Sequence, residues 1–174
     1  MTQLLLALAC LAADDAAARV EAVKKLAGTS DEASLQKLVA ALKDPDKGVR
    51  KAAAETIGTV KDEGGITPGP LGAVLTNKEE DPDVRLAAAK GLSTSPYKGA
   101  ALEAYIRCIT SISNKDRHLH QFGAQVTDIL NKYSGEDFGK GKQTPMLWEQ
   151  WWDDHKDKLR KDDEARRKAF AAKQ

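Results

Sequence analysis

Three histidines, two cysteines and a knot of tryptophans are the side chains of this sequence best equipped for chemistry. His118 and His120 stand two apart, which on a helix points them to different faces. With Asp116 nearby they could touch a metal ion, but no HxxxH, CxxC or carboxylate–histidine cluster supplies a ligand set. Cys108, in Tyr105-Ile106-Arg107-Cys108-Ile109, reads as a small core residue rather than a nucleophile. Gly64-Gly65 and Gly139-Lys140-Gly141-Lys142 lack the flanking strand that a phosphate loop needs, and no GxGxxG, GxxxxGK[ST] or GxSxG occurs. Glu136, Asp137 and Phe138 read as a turn. These residues predict no enzyme, no metal and no cofactor.

The tryptophans are different. Trp148, Trp151 and Trp152 lie within five residues at i, i+3 and i+4, so they share a helix face, and His155 and Leu159 extend it. Each indole can bury ~150–250 Å². At about 25 cal/mol per Å² that is an upper bound of roughly 4–6 kcal/mol apiece. Two roles suit such a stripe: a cap over the open end of a helical array, or an aromatic anchor for a partner or a second protomer. Thr144 and Pro145 read as N-cap and first residue of this helix. From Asp153 to Gln174 most residues are charged, and Asp154/Lys158, Asp157/Lys161, Asp163/Arg167 and Glu164/Lys168 are acid-first i, i+4 pairs. That composition predicts a solvated tail.

The elements that would carry these residues are helical throughout. Asp14 and Asp15 can cap a first helix running to Leu26, with Gly28 past its end. Leu35, Leu38, Val39 and Leu42 form the next apolar stripe, closed by Asp44-Pro45-Asp46. Val49, Ala53, Ile57 and Val60 share one face of the helix that follows. Leu71, Val74 and Leu75 mark a short helix after the glycine- and proline-rich stretch 64–70. Asp81-Pro82-Asp83 then repeats the turn and leads into Val84–Leu92. Leu102, Tyr105, Ile106 and Ile109 belong to one further helix. Leu119, Phe122, Val126, Ile129 and Leu130, capped by Asn114 or Asp116, belong to another. No segment alternates with period two, so the fold expected is all-α.

Internal repetition organises the helices. DPDKGVRKAAAETIG at Asp44–Gly58 recurs as DPDVRLAAAKGL at Asp81–Leu92, and more faintly as ARVEAVKKLAG at Ala18–Gly28. Leu26, Ile57 and Leu92 are equivalent anchors, spaced 31 and 35 residues apart. Arg19, Arg50 and Arg85 precede them by seven residues, and Ala22, Ala53 and Ala88 by four. Small residues at recurring places let helices approach closely, and stacked helix pairs share one continuous core.

On Asp44, Pro45, Val49, Arg50, Ala52-Ala53-Ala54 and Gly58, and on Asp81, Pro82, Val84, Arg85 and Ala87-Ala88-Ala89, the chain resembles the HEAT repeats. It is closest in style to the short, alanine-rich kind of the bilin-lyase-like proteins. The resemblance covers residues 16–133. It implies a short right-handed α-solenoid of antiparallel helix pairs, about three to four repeats, closed by the C-terminal Trp helix. It also implies a hydrogen-bonded ladder between turn acids and helix arginines of adjacent repeats. Asp44 and Arg50 have that ladder's six-residue spacing, Asp81 or Asp83 would serve Arg85, and Asp14 or Asp15 would serve Arg19. GEDFG followed by WxxWW is also similar to an ending of some secreted bacterial HEAT-repeat proteins.

The organisation expected is a signal peptide at 1–13, a helical repeat domain at 14–135, a loop at 136–144, and a Trp-containing capping helix with charged tail at 145–174. The apolar run Leu4–Ala12, followed by Ala12-Ala13 and then Asp14-Asp15, carries the export reading. It places the mature protein in the periplasm or outside the cell, with no membrane-spanning segment. A retained first helix, leaving a cytoplasmic protein, is the competing reading. A lipid anchor at Cys10 would want a large aliphatic residue where Ala7 stands. Charged residues make up 30% at a net charge of +1, which gives no general field for nucleic acid. The function expected is therefore a non-enzymatic protein–protein interaction module, its partner another protein, with homo-oligomer formation through the Trp helix open. By fold analogy alone, a small-ligand or bilin-lyase-like accessory enzyme and a DNA-binding protein are the alternatives.

Overall fold

A computed structural model describes residues 15–112, 116, 119–141 and 143–173. The expected signal segment at 1–13, with Cys10 and Asp14, and the residues Asn114 and His118 lie outside the described residues. Eight helices, and no strand, are present among those described. They are α1 (Ala16–Lys24), α2 (Glu32–Ala41), α3 (Lys47–Ile57), α4 (Pro68–Thr76), α5 (Pro82–Leu92), α6 (Lys98–Thr110), α7 (His120–Ser134) and α8 (Thr144–Ala171).

Acidic side chains start most of the early helices. Asp15 accepts a hydrogen bond from Ala17 N, Asp31 from Ser34 N, Asp46 from Gly48 N and Val49 N, and Asp81 from Asp83 N. Each satisfies an amide that the first turn would leave unpaired. Helix α4 starts on Pro68 instead, with the buried Asp62 accepting from Thr67 N and Thr67 Oγ1 at 2.7 Å each. The last helix begins one residue earlier than its sequence suggests. Gln143 is the N-cap, and Thr144 is the first helical residue, its buried hydroxyl donating to Phe138 O.

The helices form a two-layer solenoid. In the first layer α1 packs on α3, α3 on α5 and α5 on α7. In the second, α4 packs on α6 and α6 on α8. The layers are joined by the pairs α2/α3, α4/α5 and α6/α7. Alanine sets the spacing of the first layer: Ala53, Ala54, Ala88 and Ala89 are wholly buried. Helices α3 and α5 approach closely. A Cβ on Gly91 would sit 2.8 Å from Ala54 O, and one on Gly58 would sit 3.3 Å from Gly91 Cα. Leu38, Leu75, Leu92, Tyr105, Val126 and Leu130 fill the space between layers.

The charged C-terminus does not behave as a solvated tail. Helix α8 is continuous for 28 residues, and one face lies on α6. A stripe at heptad-like spacing runs along the covered side: Trp148, Trp152, Leu159 and Asp163 are buried or half-buried, and beyond them the half-buried Phe170 lies beside Gly64. Composition hides this, because the side that touches the body itself includes charged residues, Arg160, Asp163 and Arg167 among them.

Candidate interaction surfaces

The repeat arginines occupy a common register once the helix starts are known. Asp15, Asp46 and Asp81 are N-caps, and Arg19, Arg50 and Arg85 each lie four residues further on. From there an arginine reaches forward to the next repeat. Arg19 Nε and Nη2 donate to both oxygens of Asp44, at 2.8 and 3.0 Å. Arg50 Nε and Nη2 donate to both oxygens of Glu80, at 2.7 Å each, while Arg50 Nη1 donates to Asp44 O and Pro45 O. These are two-pronged, charge-assisted contacts, stronger than neutral hydrogen bonds. The Arg19 guanidinium holds the Asp44 carboxyl below the usual carboxylate range, and Arg50 does the same for Glu80.

Three of the expected ladder residues are used differently. Asp81 receives Lys47 Nζ at 2.9 Å rather than an arginine, and neither Asp81 nor Asp83 is joined to Arg85 in the structure's side-chain contacts. Arg85 is turned into the core, 1% exposed. There Nε donates to Leu75 O at 2.9 Å, Nη2 lies 3.6 Å from Cys108 Sγ, and the guanidinium sits 4.5 Å from the centre of the Phe122 ring. Glu80, which the sequence pattern passes over, takes the place of Asp81 because the acid must precede the cap. Asp44 stands two residues before its cap and Glu80 one before its own, and from there each meets the arginine of the repeat behind.

The tryptophans divide. Trp148 is fully buried, with ring centroids 4.7 Å from Phe138 and 5.6 Å from Trp151 in edge-on geometry. Trp151 and Trp152 are half-buried. His155 stacks on Trp151 at 4.3 Å and donates from Nδ1 to Trp151 O, while the Arg160 guanidinium lies 5.6 Å from the Trp152 ring. Neighbouring Met146 is 59% exposed. Further along α8, Asp163 leaves its expected partner Arg167 and caps α6 from outside, accepting from Ala100 N at 2.9 Å. Tyr97, the N-cap of α6, makes no capping bond of its own. A Cβ on Gly99 would meet Asp163 Oδ2 at 2.8 Å, so only glycine admits this carboxylate. Arg160 pairs with Glu103 at 3.1 Å and Arg167 lies over the Tyr97 ring.

Among the described residues no group of three or more His, Cys, Asp or Glu side chains converges as a metal site. Cys108 is wholly buried, and burial pushes its thiol up to about 11 despite the Arg85 guanidinium beside it. His120 is exposed and lines a cavity of about 350 Å³ with Ile109, Gly123, Thr127 and Thr144. A second opening separates α2 from α4. This groove, about 570 Å³, has Val39 and Leu42 on one wall and Pro70, Ala73 and Val74 on the other, with Lys43, Asp44, Arg50 and Glu80 at its polar end. No helix among the described residues is long and apolar enough to cross a membrane.

A family model described as HEAT repeats matches residues 4–68, a span that takes in α1, α2 and α3. No curated protein and no solved structure matches the chain significantly.

Proposed function

We propose that this HEAT-repeat protein is a protein-binding scaffold that performs no chemistry of its own. HEAT repeats are a scaffold type that mediates protein binding. The observation that carries the reading is the step between α2 and α4, where the second layer opens and presents apolar side chains to solvent. The ion pairs, the glycine contact of α3 with α5 and the docking of α8 all rigidify the array around it. Rigid presentation lowers the entropy lost on binding. The tryptophan helix acts as the cap of the array rather than as an anchor, since Trp148 is spent on the core and Trp151 and Trp152 are half-covered.

The protein works outside the cytoplasm, its leader removed near Ala13. A pull-down from periplasmic or secreted extract recovers a stoichiometric partner, and repeated failure there counts against the scaffold. One observation favours a second reading of the N-terminus. The HEAT match begins at residue 4, inside the apolar run, as it would if that run were the first helix of the array. Mass spectrometry of the protein purified from its own cells separates the two: a chain starting near Asp14 supports export, and one starting at Met1 or Thr2 supports the retained helix.

A further inference from the structure

Helix α4 departs from the pattern of an exposed helix. Its nine residues, PGPLGAVLT, include no charged side chain, and a helix apolar on all sides is ordinarily enclosed. Pro68, Leu71, Gly72 and Leu75 are indeed buried against α5 and α6. Gly69 and Ala73 are nevertheless exposed, and Pro70 and Val74 half-exposed, all four along the groove that separates α4 from α2. Among the described residues of that layer, α4 rests directly on α6 and α6 on α8, and the step from α2 to α4 is packed less closely than either.

Charge narrows the choice of occupant. The acids at the polar end of the groove, Asp44 and Glu80, are each neutralised by the two-pronged arginines Arg19 and Arg50. Lys43 lies beside them, exposed, with no ion pair among the described residues. The groove thus offers apolar walls and a surplus positive charge at one end. The small side chains of Gly69 and Ala73 would let a helix backbone come in to roughly 8 Å from the α4 axis, the short end of helix packing.

We propose that the α2/α4 groove docks one amphipathic helix of a partner protein. Its aliphatic stripe lies between Val39 and Leu42 on one side and Pro70, Ala73 and Val74 on the other, and a carboxylate on its flank meets Lys43. The docked helix packs on both walls of the groove at once. This rests on the scaffold reading above and deepens it, by placing the partner on the second layer and stating its chemistry.

The test installs a photo-crosslinking amino acid in the full chain at Ala73, and in a separate variant at Lys90, exposed on α5 in the first layer. Each is irradiated in the cells that make the protein, and the crosslinked peptide is sequenced. The proposal expects Ala73 to capture one segment with apolar residues at i, i+3 or i+4 and i+7 and an Asp or Glu beside them. A synthetic peptide of that segment should bind the purified protein. Ala73→Arg should weaken it by at least about tenfold, and Lys43→Glu by about fivefold with loss of salt dependence, both at unchanged melting temperature. Capture of a second copy of this chain, of its own residues 1–14, or of a segment without the stripe overturns the proposal. Capture from Lys90 alone overturns the groove and leaves the scaffold standing. Capture from neither position removes both.

Discussion

At the scale of single residues, the chain is held by a few polar contacts whose geometry makes them sensitive to one atom. Glu80 carries two charge-assisted bonds from Arg50 on a side chain only 8% exposed. Glu80→Gln removes the charge and one acceptor, and should cost about 2 kcal/mol in urea unfolding. An unchanged midpoint would show that the contact contributes nothing net. Acid should act on the same bonds. The Asp44 and Glu80 carboxyls titrate lower in the folded than in the unfolded chain, so their contribution is complete above the unfolded values, near pH 4–4.5. It is lost as pH falls through the lower folded values. A melting temperature that falls below about pH 4, by less in Asp44→Asn/Glu80→Gln than in the parent, is the expected result. Cys108 offers a probe of the core: buried and raised to about 11, its thiol should resist a thiol reagent at pH 8 until the chain is unfolded. Rapid labelling of the native protein would mean that the α5–α6 contact opens readily.

Helices bring a second set of constraints. Between α3 and α5 the backbone approaches so closely that Gly91→Ala must push its new methyl into Ala54 O, 2.8 Å away. Overpacking of this kind should cost about 1–3 kcal/mol. The same change is ordinarily favourable inside a helix, so a stabilised variant would contradict the packing. Helix α8 depends on its cap-in-trans. Asp163→Ala leaves Ala100 N without its acceptor and should cost about 1 kcal/mol. Its signature is faster amide exchange in residues 158–171, with α3 and α5 unaffected. Trp148→Phe retains most of the aromatic volume beside Phe138, whereas Trp148→Ala opens a cavity worth about 3–5 kcal/mol. Equal loss in both would argue that the indole edge, not its bulk, holds the helix.

Over the whole molecule, what was legible from sequence followed from repetition. A period of 31 to 35 residues, alanines at matching places and DP turns establish a stack of helix pairs, because each pair can bury its stripe only against the next. Partner choice among charges was not legible. Asp44 and Arg50 match a familiar spacing within one repeat, yet Arg50 reaches Glu80, 30 residues on, and Arg19 reaches Asp44, 25 residues on. The docking of the charged tail was not legible either, since Asp163 owes its burial to an α6 amide 63 residues away and to a glycine with no Cβ to block it. Local pattern, through helix periodicity, caps and turns, was enough by itself to determine the elements and their order. The tertiary structure alone decided which acid meets which arginine, which face of α8 is covered and where the second layer stays open. Those outcomes depend on the distance between helices far apart in sequence, and no local rule encodes that distance.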